Sequence, residues 1–304
     1  MGRVDGDSPL VGTCNADPPV HLEPKDASMK TPVAEPKPAP TDSPPQLLDV
    51  SSVSKSFGGV HAVKEMSLSL RPGELRAIIG PNGAGKSTLF SIIAGRLIPN
   101  TGSIRLREED IDALPPHIRA RRGISIMYQN PPAFPGLTVL QSVMLGAHRL
   151  GRTGFIRAIL STPGQRREER NLREAAVDAL EMLGLSSLAH RQTTELTFGQ
   201  LRRVQLARAL ASKPELLLLD EPASGLHRGE RTEFGKVLQK LHSEGLSMML
   251  IEHDVDLVMS VADSVTVMNL GAKLAEGTPA EIQSNPDVIS AYLGEVVPRN
   301  GSDH

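Results

Sequence analysis

Gly80-Pro81-Asn82-Gly83-Ala84-Gly85-Lys86-Ser87 fits the pattern G-x-x-x-x-G-K-[ST]. Its spacing has a physical reason. The glycines let the backbone wrap so that its N–H groups converge on phosphate oxygens. A helix opening at Lys86 adds free N–H groups and the positive end of its dipole. Lys86 can then reach the β- and γ-phosphates, and Ser87 offers a hydroxyl to Mg²⁺. The flanks supply the context this pattern needs. Glu74 to Ile79 reads as a buried strand running into Gly80. After Lys86, Leu89, Ile92 and Ile93 are spaced for one helix face, and Gly95 can cap its end.

A second signal lies downstream in Leu216-Leu217-Leu218-Leu219-Asp220-Glu221. Four leucines suit a buried parallel strand. A carboxylate closing such a strand sits at the carboxyl edge of the sheet, where α/β folds bind ligands. Asp220 is placed to hold Mg²⁺, and Glu221 to orient or deprotonate an attacking water. Ser247 to Glu252 reads as another buried strand, with helices at Arg228 to Ser243 and Asp254 to Ala262. Strands alternating with helices predict an α/β core with a mostly parallel sheet. Ahead of the phosphate loop, Leu48, Val50 and Val53 mark a β-prone stretch. Ala62 to Leu70 marks another, and Ser103 to Leu106 a third.

Between about 131 and 210 the pattern is mostly helical. Leu172, Ala175, Ala176, Ala179, Leu180 and Leu183 share one face, and Gly184 stops the run. Arg149, Arg152, Arg157, Arg166, Arg167 and Arg170 lie just before it. They read as a solvated face balanced by Glu168 and Glu169 rather than a surface for lipid headgroups. Residues 1–45 hold ten of the chain's 24 prolines and few large apolar residues, so they read as a disordered extension. Residues 299–304 form a short tail.

Composition excludes several classes. The formal charge of −2 and the absence of Trp argue against a nucleic-acid partner. A single cysteine, Cys14, can form neither an internal disulfide nor a multi-cysteine zinc site. No apolar run approaches the ~18 residues of a membrane span, and the first thirty residues lack a signal peptide's apolar stretch.

The segment Glu195-Leu196-Thr197-Phe198-Gly199-Gln200, before the helix-like Leu201 to Leu210, decides which kind of phosphate-loop protein this is. The chain here resembles the ABC ATPase family, whose signature reads L-S-G-G-Q. The other stations of that family follow in order. Phe57 sits where the adenine-stacking aromatic belongs, Gln129 matches the Q-loop, Ser224 to His227 the D-loop, and His253 the switch histidine. The resemblance covers about residues 47–296. It implies a P-loop NTPase of the ABC type, with a mostly parallel sheet core and an antiparallel β region, a single nucleotide-binding domain over 46–298, and a helical subdomain over about 131–210.

The resemblance further implies a cycle. ATP would lie on Gly80, Pro81, Asn82, Gly83, Ala84, Gly85, Lys86, Ser87 and Thr88, with Phe57 against the adenine. Ser87, Gln129 and Asp220 would hold Mg²⁺. Glu221 would be the general base, with His253 and Gln129 completing the catalytic set. Thr197, Phe198, Gly199 and Gln200 of one ATPase would close over ATP held by a second, either a copy or a paralogue. Closure would move transmembrane permease subunits, placing the chain peripherally on the cytoplasmic face of the membrane. Two departures stand out: Phe198 replaces the first signature glycine, and His227 replaces an acid or Asn in the D-loop.

Finer details resemble the ATPases of branched-chain amino acid importers. These are an aromatic at Phe198, Glu221-Pro222-Ala223-Ser224-Gly225-Leu226, and Ile251-Glu252-His253-Asp254. A long stretch at Leu150 to Gln165 and a terminal segment from Asn285 to Glu295 add to them. A substrate-binding protein is an implied indirect partner. Related systems import urea or short amides. The lipopolysaccharide-export ATPases share the terminal Tyr-Leu-Gly-Glu and a segment like Leu114 to Gly123, but usually keep the glycine that Phe198 replaces. Non-transport ABC ATPases usually carry coiled-coil insertions, zinc cysteines or two cassettes, and this chain has none of these.

Overall fold

The structure is a computed structural model that describes residues 45–129, 134–147 and 163–293. The expected extension over 1–45, the tail over 299–304 and the Leu150 to Gln165 stretch lie wholly or mostly outside these residues. So do Arg149, Arg152 and Arg157.

Strands β1 (Leu48–Phe57) and β2 (Val60–Leu70) pair antiparallel. Leu48, Val50 and Val53 are all buried, although strict alternation would turn Ser52 inward. A bulge resolves this. Ser52 adopts φ +49°, and the register shifts between Val50 and Val53. Then come β3 (Leu75–Ile79), buried at every position, and α1 (Lys86–Ile93). Strands β4 (Thr101–Leu106) and β5 (Glu109–Asp110) complete a four-stranded antiparallel sheet ordered β2-β1-β4-β5.

The short helix α2 (Pro116–Arg121) supplies Arg119, which is 1% exposed. Its guanidinium donates to the carbonyls of Ile92, Ile93, Leu114 and Asp112 at 2.7–2.9 Å. Arg119 therefore satisfies the carbonyls at the negative end of α1. Burial pulls its pKa down to about 10, against the opposing charge of Asp112.

Strand β6 (Ile124–Met127) leads to helices α3 (Val139–Ala147), α4 (Pro163–Met182) and α5 (Phe198–Leu210), which pack on one another. The predicted face of α4 is the buried one, and Gly184 beyond its end takes φ +64°. The chain then alternates β7 (Leu216–Asp220), α6 (Arg228–Ser243), β8 (Ser247–Ile251) and α7 (Val255–Val261). It continues through β9 (Ser264–Asn269), β10 (Ala272–Gly277), α8 (Pro279–Gln283) and α9 (Pro286–Leu293).

The second sheet is ordered β10-β9-β3-β8-β7-β6 and is parallel except for the β9–β10 hairpin. Its central strands are covered on both faces, which is why their sequences read as apolar runs. In β7 the alternation is still visible. Leu217 and Leu219 join the core that contains Leu172, Leu180, Val204 and Phe234, on α4, α5 and α6. Leu216 and Leu218 face the core shared with α1 and the four-stranded sheet. The carboxyl ends of β3, β7 and β8 share one edge, and every candidate catalytic residue follows one of these strands or β6.

Candidate active site

The phosphate loop leaves β3 at Gly80 and enters α1 at Lys86. Gly80, Gly83 and Gly85 take φ of +151°, +78° and +98°, values that L side chains rarely adopt. Space is as restrictive as conformation at two of them. A Cβ at Gly80 would collide with the carbonyl of Met268, and one at Gly85 with the carbonyl of Ala62. The β9–β10 turn braces the loop from outside. Gly271 N–H donates to Ala84 O at 3.1 Å, and Lys64 N–H to Gly271 O at 2.7 Å. Gly85 supplies no side-chain cap, and the first turn of α1 holds no acid, so its N–H groups face an anion unopposed. Lys86 is buried across the loop, donating to Gly80 O at 2.6 Å and Pro81 O at 2.9 Å. Asn82 and Ser87 are exposed and Thr88 half-buried on the same segment. Phe57 ends β1 about half exposed, with Lys55 Nζ 5.6 Å from its ring centre.

Asp220 ends β7 and Glu221 follows it. Burial, then the charge of Glu221, raises the pKa of Asp220, with Lys86 and Arg96 acting in the opposite sense. A half-buried carboxylate pair is costly unless a cation compensates it. Ser87, Asp220 and Gln129 offer a hydroxyl, a carboxylate and an amide oxygen, the oxygen ligands that Mg²⁺ accepts. The donor chemistry and the raised pKa of Asp220 both fit that ion.

Glu221 takes φ +47°. For a non-glycine residue this conformation costs about 1–3 kcal/mol and persists only where its surroundings fix it. They do so from several sides. Glu221 N–H donates to Ile251 O at 2.9 Å. Gln129 Nε2 donates to Glu221 Oε2 at 2.5 Å. His253 Nδ1 lies 3.8 Å from the same oxygen, too far for a hydrogen bond but close enough to join one site. The structure thus brings Gln129, Glu221 and His253 together beside Asp220.

The signature segment opens α5. Thr197 is its N-cap in a capping box: Gln200 N–H donates to Thr197 Oγ1 at 3.2 Å, and Thr197 N–H to Gln200 Oε1 at 3.1 Å. A Cβ at Gly199 would lie 2.5 Å from Glu230 Oε1, so a larger residue there would have to push that flexible carboxylate aside. Phe198 turns its ring toward Gly225, whose added Cβ would meet it at 3.0 Å. His227 is the N-cap residue of α6, and its main-chain N–H donates to Glu230 Oε2 at 3.2 Å. That bond uses the main chain, so any residue but proline at this D-loop position would make it.

Two buried charges belong to the site although sequence reasoning assigned them no part. Glu252 is 1% exposed and accepts from Ala223 N–H at 2.8 Å and His253 N–H at 3.2 Å. Burial raises its pKa against these hydrogen bonds and the charge of His253. Arg202 is 5% exposed and donates to the carbonyls of Gln129 and Ser224. A signal for Glu252 exists: it closes an apolar strand just as Asp220 does.

This combination of fold and site defines an ATP-binding cassette. Residues 63–224 match the family model of the ABC transporter, and residues 272–298 match that of the branched-chain amino acid ATP-binding cassette transporter. The chain is similar to the high-affinity branched-chain amino acid transport ATP-binding protein BraF of Pseudomonas aeruginosa. The two are 42% identical over 250 residues, covering 82% of this chain and 98% of BraF. Among solved structures it resembles the ADP conformation of the cassette MJ1267. That match has TM-score 0.72 and 31% identity, and covers 82% of this chain and 99% of MJ1267. It also resembles the dimeric bacterial cassette MJ0796, with TM-score 0.64 and 26% identity, over 76% and 98% of the two chains. The chain belongs to the ATP-binding subunits of ABC transporters, P-loop ATPases coupled to transport.

Proposed function

We propose that this chain hydrolyses ATP to drive the import of branched-chain amino acids. The observation that carries the hydrolytic half is the placement of Glu221. It follows β7 beside Asp220 and is gripped by Gln129, with His253 across from it. The cargo is inferred from the likeness to BraF and from the branched-chain family match at residues 272–298.

ATP is the substrate. Phe57 stacks on its adenine, and the N–H groups of residues 80–88 bind its phosphates together with the Lys86 ammonium. Ser87, Asp220 and Gln129 would hold Mg²⁺, and that ion would supply positive charge beside the phosphates. Glu221 takes the proton of the attacking water, and Gln129 keeps its carboxylate oriented. His253 contacts the γ-phosphate. Thr197, Phe198, Gly199 and Gln200 of a second cassette complete each site, so two cassettes act as a pair. That partner is a paralogue or another copy. Among the described residues no helix is long and apolar enough to cross a membrane. By its likeness to the ATP-binding subunits of ABC transporters, the chain acts through permease subunits, peripherally at the cytoplasmic face, with a substrate-binding protein delivering the cargo.

Uptake of labelled leucine in cells lacking this gene and redundant importers tests the reading, with valine, isoleucine, urea and a simple amide as competitors. Wild type should restore uptake and Glu221→Gln should not. Uptake that never depended on the gene would remove the cargo assignment and leave the ATPase.

A further inference from the structure

The loop carrying Glu221 is held by two buried side chains of opposite charge that have no place in the phosphate site. Glu252 Oε1 takes the N–H of Ala223 at 2.8 Å. Arg202 Nη2 takes the carbonyl of Ser224, the next residue, at 3.2 Å. The same guanidinium reaches a second loop through Nη1, which donates to the carbonyl of Gln129 at 2.6 Å. Gln129 is the residue whose amide grips Glu221. Arg202 therefore touches both segments whose relative position sets that grip.

Its own anchorage is the signature helix. Arg202 lies in the first turns of α5, and its guanidinium carbon is 5.0 Å from the centre of the Phe198 ring. That ring also packs on Gly225, where φ is +81° and an added Cβ would press on the ring at 3.0 Å. Signature helix, Q-loop and D-loop are thus joined within one chain by a stacked Arg–Phe pair. The planar fork suits this position. It presents separate N–H groups to two carbonyls on different loops, which one ammonium cannot reproduce.

We infer that Arg202, stacked on Phe198, is a positioning residue for hydrolysis that couples the start of the signature helix to the geometry of Glu221. The inference rests on the hydrolytic reading above and adds a route by which the signature helix acts on its own chain's site. Any shift of the first turn of α5, such as engagement of a second cassette would impose, moves Gln129 and Ser224 through the same guanidinium.

The test uses the full-length chain, alone and with co-expressed permease subunits, as wild type, Arg202→Lys, Arg202→Gln and Phe198→Leu. Melting temperature, affinity for a fluorescent ATP analogue, and kcat and KM for ATP are measured for each. In both Arg202 variants affinity for the analogue without Mg²⁺ should stay within about two-fold, since Arg202 touches nothing in the phosphate loop, while kcat falls. Misplacing a catalytic group by about an ångström costs up to ~10²-fold, so both Arg202 variants should lose about 10- to 100-fold in kcat. Arg202→Lys should not recover the rate, and Phe198→Leu should show a smaller loss of the same kind. A kcat within about two-fold of wild type in both Arg202 variants would overturn the inference, as would affinity and kcat falling together, the mark of a merely structural role. Should neither Arg202 variant fold, Phe198→Leu is compared with Phe198→Tyr, which keeps a ring under the guanidinium: kcat should fall in the first alone, and equal losses in both would overturn the inference. An inactive wild type would instead overturn the hydrolytic reading, and the inference with it.

Discussion

The phosphate loop at residues 80–87 is fixed by its own main chain, whereas the loop at residues 220–226 is fixed by side chains arriving from elsewhere. In the first, glycines in left-handed conformations press against the carbonyls of Met268 and Ala62, and the β9–β10 turn hydrogen-bonds the backbone. In the second, a strained Glu221 is held by Gln129, and the residues after it by Glu252, Arg202 and Arg231. Arg231 donates to the carbonyl of Leu226 and also pairs with Asp254, so α6 joins the switch segment to the D-loop. The difference suits the two tasks. Binding needs a cradle that is present before ATP arrives. Hydrolysis has to be switched, and a loop held by side chains from four other segments can respond when those segments move.

The sharpest way to break this division is Glu221→Gln. The amide preserves shape and can still pair with Gln129, but it cannot take a proton from water. Turnover should fall ~10²–10⁴-fold, the usual loss for a positioned general base. Nucleotide affinity should persist, because the phosphate cradle is untouched. Single-turnover ATP hydrolysis alongside nucleotide titration measures both quantities. Near-normal turnover would remove Glu221 from the role of base.

Lys86→Ala strikes the other region, and its expected effect is smaller and of a different kind. A hydrogen bond to a charged group contributes about 1.5–3 kcal/mol. Losing it should weaken ATP binding roughly 10- to 150-fold. Binding of a fluorescent ATP analogue reads this directly. If affinity were unchanged and only turnover fell, the phosphate loop would not be a pure binding device and the contrast would fail.

The same contrast explains how much the sequence disclosed. A main-chain cradle is written locally: every glycine the backbone demands, the lysine and the serine fall within eight consecutive residues. Strands β7 and β8 were legible for a related reason, since burial on both faces leaves an unbroken apolar run. Strand β6, only four residues long, has no period of its own to set it apart from a buried helical segment. The bulge at Ser52 was hidden because it depends on a close approach by Gly102 from the neighbouring strand. Least legible was the role of Arg202. Its partners are the main-chain carbonyls of Gln129 and Ser224, 73 and 22 residues away, and any residue type supplies a carbonyl. Side chains that fix loops through backbone atoms leave no motif on the receiving side.

The smallest expected effect belongs to a region that neither half of the contrast uses. Among the described residues the first tertiary anchors appear at Leu47, which is buried. Its N–H donates to Leu70 O at 2.8 Å, and its carbonyl accepts from Arg107 N–H at 2.6 Å. Every residue given a role in binding or hydrolysis lies between Phe57 and His253. Deleting residues 1–45 removes Pro-rich sequence with few large apolar residues and leaves both Leu47 bonds in place. Changes outside packed or hydrogen-bonded features usually stay within about 0.5 kcal/mol, roughly a factor of two. ATPase rate and nucleotide affinity of the truncated chain should therefore match the full chain within that factor. A larger loss confined to turnover would tie the extension to the side-chain-held loop. A loss of affinity would tie it to the phosphate cradle.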